Sequence, residues 1–320
     1  MNGLIRRTWA TNRPLTFVGL AMAAVLAAAL IGLVADPRVI TGAPAWLKPA
    51  KFALSIAIYS FTLVWLLTFV EGRRRLVAVV SWVTAIAMIV EMVLIAGAAA
   101  IGTTSHFNVS TPLHSAVWSV MASAIVATWT VNVLVGLVLL RQRGPDSAFA
   151  WSLRLGVLIS AVGMGVAFFM TSPTAEQLTA ARAGAGMPLV GAHAVGVADG
   201  GPGLPVVGWS TVGGDLRAPH FFGLHGLQLL PLLGIALIRF APRWLRPGDR
   251  TALVVTAGLG YLGFVGLTTW QALRGQPLLA PDAVTLAALA ALVATVAAAA
   301  VTVFARAHQA RSTNVHMVAG

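Results

Sequence analysis

The strongest constraint on this chain is a series of apolar runs, each about 20 residues long, that recurs along its whole length. A helix needs a run of that length to cross a hydrocarbon core of roughly 30 Å. Hydrophobic residues make up 58% of the chain and charged residues only 9%, whereas a soluble domain carries roughly 25% charged residues. The sequence therefore predicts an all-α bundle of transmembrane helices.

Eight spans account for nearly all of the apolar sequence and leave no separate soluble domain. We expect a single integral membrane domain over residues 1–320, with the lipid bilayer as its main partner. The first run is longer than the core of a signal peptide, which is about 7–15 residues, so we interpret it as a retained span. The spans are expected at approximately 15–34, 50–70, 76–101, 113–140, 150–171, 219–240, 251–273 and 283–304.

The distribution of positive charge predicts that both termini are cytoplasmic. Most of the 21 lysine and arginine residues lie in segments on the same side as the N-terminus, as the positive-inside rule requires for an N-in, C-in protein. The net charge of +12 is then a topology signal, and nucleic acid is not an expected partner. The exceptions, on the predicted outer side, are Arg38, Lys48, Lys51, Arg182, Arg217 and Arg274.

One outer connection, residues 172–218, is much longer than the usual connection of about 4–6 residues. Its first part predicts a short helix that ends at about Ala183, because Ser172, Pro173 and Thr174 form a helix start. The remainder is rich in glycine but also carries valine, leucine and tryptophan, which disordered tracts usually lack. We therefore predict a folded lid over the outer mouth of the bundle, with a disordered linker as the alternative.

Glu91 is the most informative ionisable residue, because it lies well inside the third span. A carboxylate in hydrocarbon usually faces the bundle interior and has a partner there. His225 in the sixth span has a similar predicted depth, and Gln228 shares its helix face. Glu91 and His225 could form a buried structural pair, or they could belong to a polar pocket that opens outward.

All five histidines outside the C-terminal tail fall on the predicted outer side, and with the carboxylates there they form the donor set of a transition-metal site. We predict a divalent metal held by Glu91, His106, His220 and His225, with a hydrogen-bonded polar cap that seals the helix ends without metal as the alternative. Haem is less favoured, because His114 and His225 differ in depth and no inner ligand exists. Cysteine is absent, which excludes thiolate sites. The expected pocket lining comprises Lys48, Lys51, His114, His193, Asp199, Asp215 and Gln228.

Five segments between roughly residues 44 and 235 form a recognisable set: Trp46–Phe52, Ser105–Asn108, Asp199–Pro205, Gly214–Arg217 and His220–Gln228. Together they resemble an uncharacterised family of bacterial multi-pass membrane proteins. The resemblance implies a bacterial inner membrane, but it carries no activity with it.

Three functions remain open from the sequence. The first is a metal-dependent membrane protein, an enzyme if the metal activates water, although no established metalloenzyme motif is present. The second is a transporter or permease for a small solute that enters from the outer side. Against transport, only Glu91 and Gln228 approach the middle of the predicted spans as polar groups. The third is a structural or accessory subunit.

Overall fold

A computed structural model describes residues 3–142 and 147–318, with side chains described up to Arg311. Within these residues, eight helices are long and apolar enough to cross a membrane. The helices are α1 (Gly3–Thr11), α2 (Arg13–Ala35), α3 (Leu47–Leu66, continued by a 3₁₀ turn over Leu67–Phe69), α4 (Arg74–Ile101), α5 (Pro112–Arg141), α6 (Ser147–Met170), α7 (Ala175–Arg182), α8 (Arg217–Phe240), α9 (Pro247–Leu273) and α10 (Ala283–Val318). Two-residue strands occur at β1 (Val39–Ile40), β2 (Ala43–Pro44), β3 (Ala194–Val195) and β4 (Gly214–Asp215).

The prediction of a multi-pass helical membrane protein is confirmed, since each predicted span coincides with one long apolar helix. Seven of the eight helices begin before their predicted start, and α10 continues well past its predicted end, because polar residues continue a helix beyond the apolar run that hydropathy detects. The short helix of the long connection is also present as α7. Thr174 caps it, and Gln177 completes a reciprocal capping box. The N-in, C-in orientation stays a prediction.

The chain divides into two compact units. Unit 1 comprises residues 1–134 and 168–213, and unit 2 comprises residues 135–167 and 214–320. A single membrane domain over the whole chain stays a prediction, and each unit is described by itself below.

Unit 1 is built on α2, α3 and α4, which pack against one another. Two glycines of α2 leave room for aromatic rings: the Phe61 ring packs against Gly19, and the Trp46 ring packs against Gly32. Asn12 separates α1 from α2, and its side-chain oxygen accepts from the backbone N–H of Leu15 at 3.2 Å. This Asn12 cap explains why α2 begins where it does.

The loop end of unit 1, which we define as residues 36–46, 102–111 and 171–213, is ordered by backbone pairing. β1 and β2 form an antiparallel hairpin, and its Gly42 abuts the carbonyl of Gly200. The backbone N–H of Val109 donates to the Pro188 carbonyl at 2.9 Å, and that of Val190 to the Phe107 carbonyl at 2.8 Å. The long connection is therefore folded, as the sequence favoured; its role as a lid stays a prediction.

Unit 2 is held together by a close crossing of α6 and α8. A methyl group at Gly163 would lie 2.5 Å from the Cα atom of Gly223, and one at Gly156 would lie 3.0 Å from the Gly226 carbonyl oxygen. Because positions advance along α6 as they recede along α8, the two helices run antiparallel. Small residues at such a crossing let backbones approach closely, which drives helix association within lipid. α9 packs on α8 and α10 on α9.

Candidate functional site

Glu91 is a fully buried carboxylate in the long helix α4. Its side chain is 1% exposed, and neither carboxylate oxygen has a hydrogen-bond partner among the described residues. It lies ten positions before the last residue of α4, which is about 15 Å along the helix from the loop end. The ammonium group of Lys48 attracts it electrostatically. The predicted burial of Glu91 inside the bundle is thus observed.

Lys48 and His106 form a contact above Glu91 at the loop end. Lys48 lies in the first turn of α3, and its Nζ is 3.1 Å from Nδ1 of His106. An ammonium group only donates, so Nδ1 must accept and the ring proton must be on Nε2. The Ser105 hydroxyl, 3.0 Å from the same nitrogen, contributes to this contact.

Aromatic rings surround the His106 imidazole. The ring centroids of Phe52 and Trp118 lie 5.8 Å and 5.6 Å from it, and that of Phe107 lies 6.1 Å away. Burial lowers the pKa of His106 well below its usual value, and the positive charge of Lys48 lowers it further. His106 is therefore neutral near pH 7, with one acceptor nitrogen and one donor nitrogen.

His193 and Asp199 form a second ionisable pair in the long connection. Nδ1 of His193 is 2.6 Å from the Asp199 carboxylate, which also accepts the backbone N–H groups of His193 and of Ala194, the latter at 2.8 Å. Burial raises the pKa of Asp199, but these hydrogen bonds and the histidine outweigh it and lower that pKa to about 2. The His193 ring stacks edge-on against Phe107 at 4.9 Å, which connects this pair to His106.

The backbone around these groups is strained. Among the described residues, the non-glycine residues with positive φ are Thr41, Phe107 and Val206. Phe107 follows His106, and Val206 precedes the carbonyl of Val207, which accepts from Lys51 Nζ at 3.0 Å. Such conformations cost on the order of 1–3 kcal/mol each and cluster at binding sites. The loop end therefore holds its polar groups in a costly, defined arrangement.

Together, Lys48, Glu91, His106, His193 and Asp199 define what we call the Glu91 site. All five were predicted as site residues, and unit 1 places them in one electrostatically connected group. Lys51 holds the long connection to α3, as described above. His114 has a different role, because its Nδ1 pairs with the Ser110 hydroxyl at 3.1 Å at the exposed start of α5.

The predicted site residues of unit 2 have local partners of their own. The Gly163 carbonyl accepts from Nδ1 of His220 at 2.8 Å. The His225 ring lies 4.2 Å from that of Phe221 and beside the Gln228 side chain. Asp215 accepts from the Arg217 guanidinium at 2.6 Å at the start of α8. The proximity of Glu91 and His225 stays a prediction, since they belong to different units.

The described part of the chain contains no group of three or more histidine, aspartate or glutamate residues placed to hold a metal ion. The predicted ligands Glu91 and His106 belong to unit 1, and His220 and His225 to unit 2. A stable site for a transition metal usually needs three or four such donors. The predicted metal centre therefore gains no support from the described residues.

The sequence-based interpretation missed polar side chains in the middle of unit 1 and at the end opposite the loop end. Nδ2 of Asn132 on α5 donates to the Tyr59 hydroxyl on α3 at 2.6 Å, and Nδ2 of Asn12 donates to the Ser81 hydroxyl at 2.6 Å. The expectation that only Glu91 and Gln228 approach the middle of the spans was wrong. A helical spacing of polar residues on α4, Ser81, Thr84 and Glu91, was the available signal.

Comparison with known proteins adds no assignment: no family model, curated protein or solved structure matches this chain.

Proposed function

We propose that this chain is a multi-pass protein of a bacterial inner membrane that transports a small, uncharged, polar solute, and that the Glu91 site binds the solute. In this proposal both termini are cytoplasmic, and the loop end of unit 1 faces outward as a lid. The observation that carries the proposal is the buried Glu91 carboxylate, whose two oxygens accept no hydrogen bond from the described residues. An ionisable residue in such a position marks a substrate or ion pathway by default.

The charges of the site favour an uncharged solute. The Lys48 ammonium balances the Glu91 carboxylate, His106 is neutral, and Asp199 is paired with His193. A cationic or anionic solute would add an unbalanced charge to a buried region, which is costly. Hydroxyl or amide groups could instead donate to Glu91 and accept from the Nε2–H of His106. A polyol or a small amide fits this pattern of donors and acceptors.

The polar groups deeper in unit 1 do not by themselves distinguish transport from a purely structural role. Hydrogen bonds such as the one from Asn132 to Tyr59 also hold helices together. The group that favours transport over a purely structural role is the buried Glu91 carboxylate, because no described hydrogen bond satisfies it. Transport is favoured over a metalloenzyme because the described residues include no group of three side chains placed to hold a metal ion.

Thermal unfolding of the detergent-solubilised protein with three matched solute panels tests the binding step. We expect a polyol or amide to raise the Tm of the wild type, because a ligand that binds only the folded state stabilises it. Amines and carboxylic acids of the same size should have little effect. Glu91→Gln should lose the response, whereas Glu71→Gln, which changes an exposed carboxylate outside the loop end, should keep it.

Uptake of the radiolabelled best solute into proteoliposomes tests the transport step. Wild-type vesicles should fill faster than Glu91→Gln vesicles and faster than empty ones. Equal stabilisation of the wild type and Glu91→Gln by every solute would contradict the site. Binding without uptake would contradict transport.

A further inference from the structure

Buried polar side chains continue below Glu91 through the interior of unit 1. They come from four helices or caps and reach the opposite end of the unit, which we call the Asn12 end. They lie on α3, α4, α5 and the α2 cap. All are buried except Tyr59, which is half-buried. Besides Glu91, the members of this polar column are Asn12, Tyr59, Ser60, Ser81, Thr84 and Asn132.

The lower part of the column contains two hydrogen-bonded pairs, Asn12 with Ser81 and Asn132 with Tyr59. Asn12 donates to Ser81, and the Ser81 hydroxyl donates in turn to the Val77 carbonyl at 2.7 Å. Asn132 orients Tyr59 by donating to its hydroxyl oxygen. Thr84 lies beside Tyr59, although its hydroxyl does not form a well-aligned hydrogen bond. Tyr59 therefore has a second polar side chain next to it, on the helix that carries Glu91.

Several hydroxyls of unit 1 lack the bond that helical hydroxyls normally make. Serine and threonine inside a membrane helix usually donate to the carbonyl one turn earlier, as Thr62 does to Ile58 and Thr128 to Ala124. Ser60 and Thr84 are fully buried and have no such partner among the described residues. The Ser60 hydroxyl therefore keeps its donor and acceptor for a hydrogen-bonded chain, and the Thr84 hydroxyl lies within reach of Tyr59.

The spacing of the column suits a chain of hydrogen bonds. Ser81, Thr84 and Glu91 lie three and seven positions apart and share one face of α4, so they cover about 15 Å of helix. Counted from the loop ends of their helices, Ser60 lies about 20 Å deep, between Glu91 at about 15 Å and Thr84 at about 26 Å. Water molecules that bridge polar groups can close the intervals that remain.

We propose that this column conducts protons between the Asn12 end of unit 1 and the Glu91 carboxylate. A proton from water at the Asn12 end enters the chain, and each hydroxyl or water releases its own proton as it accepts another. The last transfer forms an O–H bond on Glu91 and leaves a neutral carboxylic acid, with no change of oxidation state. The amides of Asn12 and Asn132 position Ser81 and Tyr59. This role goes beyond solute binding and does not depend on it.

The other titratable groups on the elements around the column lie at its two ends. At the Asn12 end they are Arg6, Arg7, Arg13, Glu71, Arg73, Arg74 and Arg75. At the loop end, Asp36 follows α2, Lys48 and Lys51 lie on α3, and His114 lies at the start of α5. The Lys48 ammonium attracts Glu91 and contacts His106. Between the two ends, Tyr59 and Glu91 are the titratable groups of α2, α3, α4 and the unit 1 part of α5.

Carbodiimide labelling in proteoliposomes tests the proposal. Dicyclohexylcarbodiimide enters lipid and reacts with protonated carboxyl groups, so labelling of Glu91, measured by mass spectrometry, reports its protonation. The pH inside and outside the vesicles is set independently. A cleavable tag after Gly320 sorts the two orientations, because external protease removes the tag only from copies whose C-terminus faces outward.

In the wild type we expect Glu91 labelling to follow the pH on the Asn12 side, with about a tenfold change per pH unit over the steep part of the curve. Thr84→Val and Tyr59→Phe remove one hydroxyl each and should abolish this dependence. Thr62→Val removes a hydroxyl that is already bonded within α3, so it should behave as the wild type. Thermal unfolding confirms that each variant is folded.

Labelling that follows only the pH on the loop side would overturn the proposal, as would the absence of Glu91 labelling at every pH. Unchanged Asn12-side dependence in folded Thr84→Val and Tyr59→Phe would overturn it as well. Solute binding is read separately from the Tm response, so the failure of one proposal does not imply the failure of the other.

Discussion

Histidines occur in both units of the chain, but their partners differ in kind. In unit 1, His106 contacts the Lys48 ammonium and His193 contacts the Asp199 carboxylate. In unit 2, His220 contacts a backbone carbonyl and His225 an aromatic ring. Histidine therefore pairs with ionisable side chains in unit 1, and with a backbone carbonyl and an aromatic ring in unit 2.

The helix interfaces of the two units differ in the same sense. In unit 2, backbones meet directly at Gly163 and Gly223, which leaves no volume for side chains. In unit 1, the interior retains polar side chains and the unpartnered Glu91 carboxylate. Unit 2 thus has a direct backbone contact at its main helix crossing, whereas unit 1 has a buried carboxylate that no described hydrogen bond satisfies.

The largest effect is expected from Gly163→Ala in unit 2. Its new methyl group would lie 2.5 Å from Cα of Gly223, so the two backbones must separate, at a cost of about 3 kcal/mol. Gly165→Ala is the matched control, because nothing lies within 4 Å of its new methyl group. It should be neutral or stabilising by up to about 1 kcal/mol. Thermal unfolding in detergent measures both, and equal Tm values would refute the glycine crossing.

Asp199→Asn should weaken unit 1 by about 1–3 kcal/mol, because the amide replaces a charged acceptor of several hydrogen bonds. Proteolysis between residues 184 and 188 should accelerate. Glu176→Gln, an exposed change in the same segment, should not accelerate it. Since folding lowers the pKa of Asp199 to about 2, its stabilisation is complete above about pH 4 and is lost as the pH falls toward 2. An equally protected Asp199→Asn protein would disprove the anchoring role.

The smallest effect is a pH dependence from His106. Its pKa is lowered by folding, so below about pH 6.5 the unfolded chain binds a proton that the folded chain does not. Stability should then fall by up to about 1.4 kcal/mol per pH unit. The Tm of His106→Asn should lack this pH-dependent fall between pH 7.5 and pH 5.5, a window of about one pH unit on either side of the ordinary pKa of histidine. His114→Asn, which changes a half-buried histidine at the start of α5, should retain it; identical slopes in all three proteins would show that His106 is not buried as a neutral ring.

The sequence identified the main site residues because an ionisable group within or beside an apolar run can be recognised from the sequence alone. Glu91 stands out as a carboxylate among apolar residues, and His106 and Asp199 stand out as ionisable groups near span ends. The convergence of Glu91 and His106 with His220 and His225 on a metal stays a prediction that gains no support from the described residues, because histidines at a similar depth need not share neighbours. Tyr59 and Asn132 were missed because a single uncharged polar residue in an apolar helix gives no sign of a special role until its partner is known.

Sequence alone determined the number and the approximate positions of the spans, because hydrocarbon excludes any backbone that does not satisfy its own hydrogen bonds. That constraint acts on each run of about 20 residues separately, so it can be read locally. The tertiary structure decided the partners: Lys48 for His106, Asp199 for His193, and a glycine crossing for α6 and α8. These choices depend on how helices rotate about their axes and on where a long connection folds back, and local sequence does not encode either.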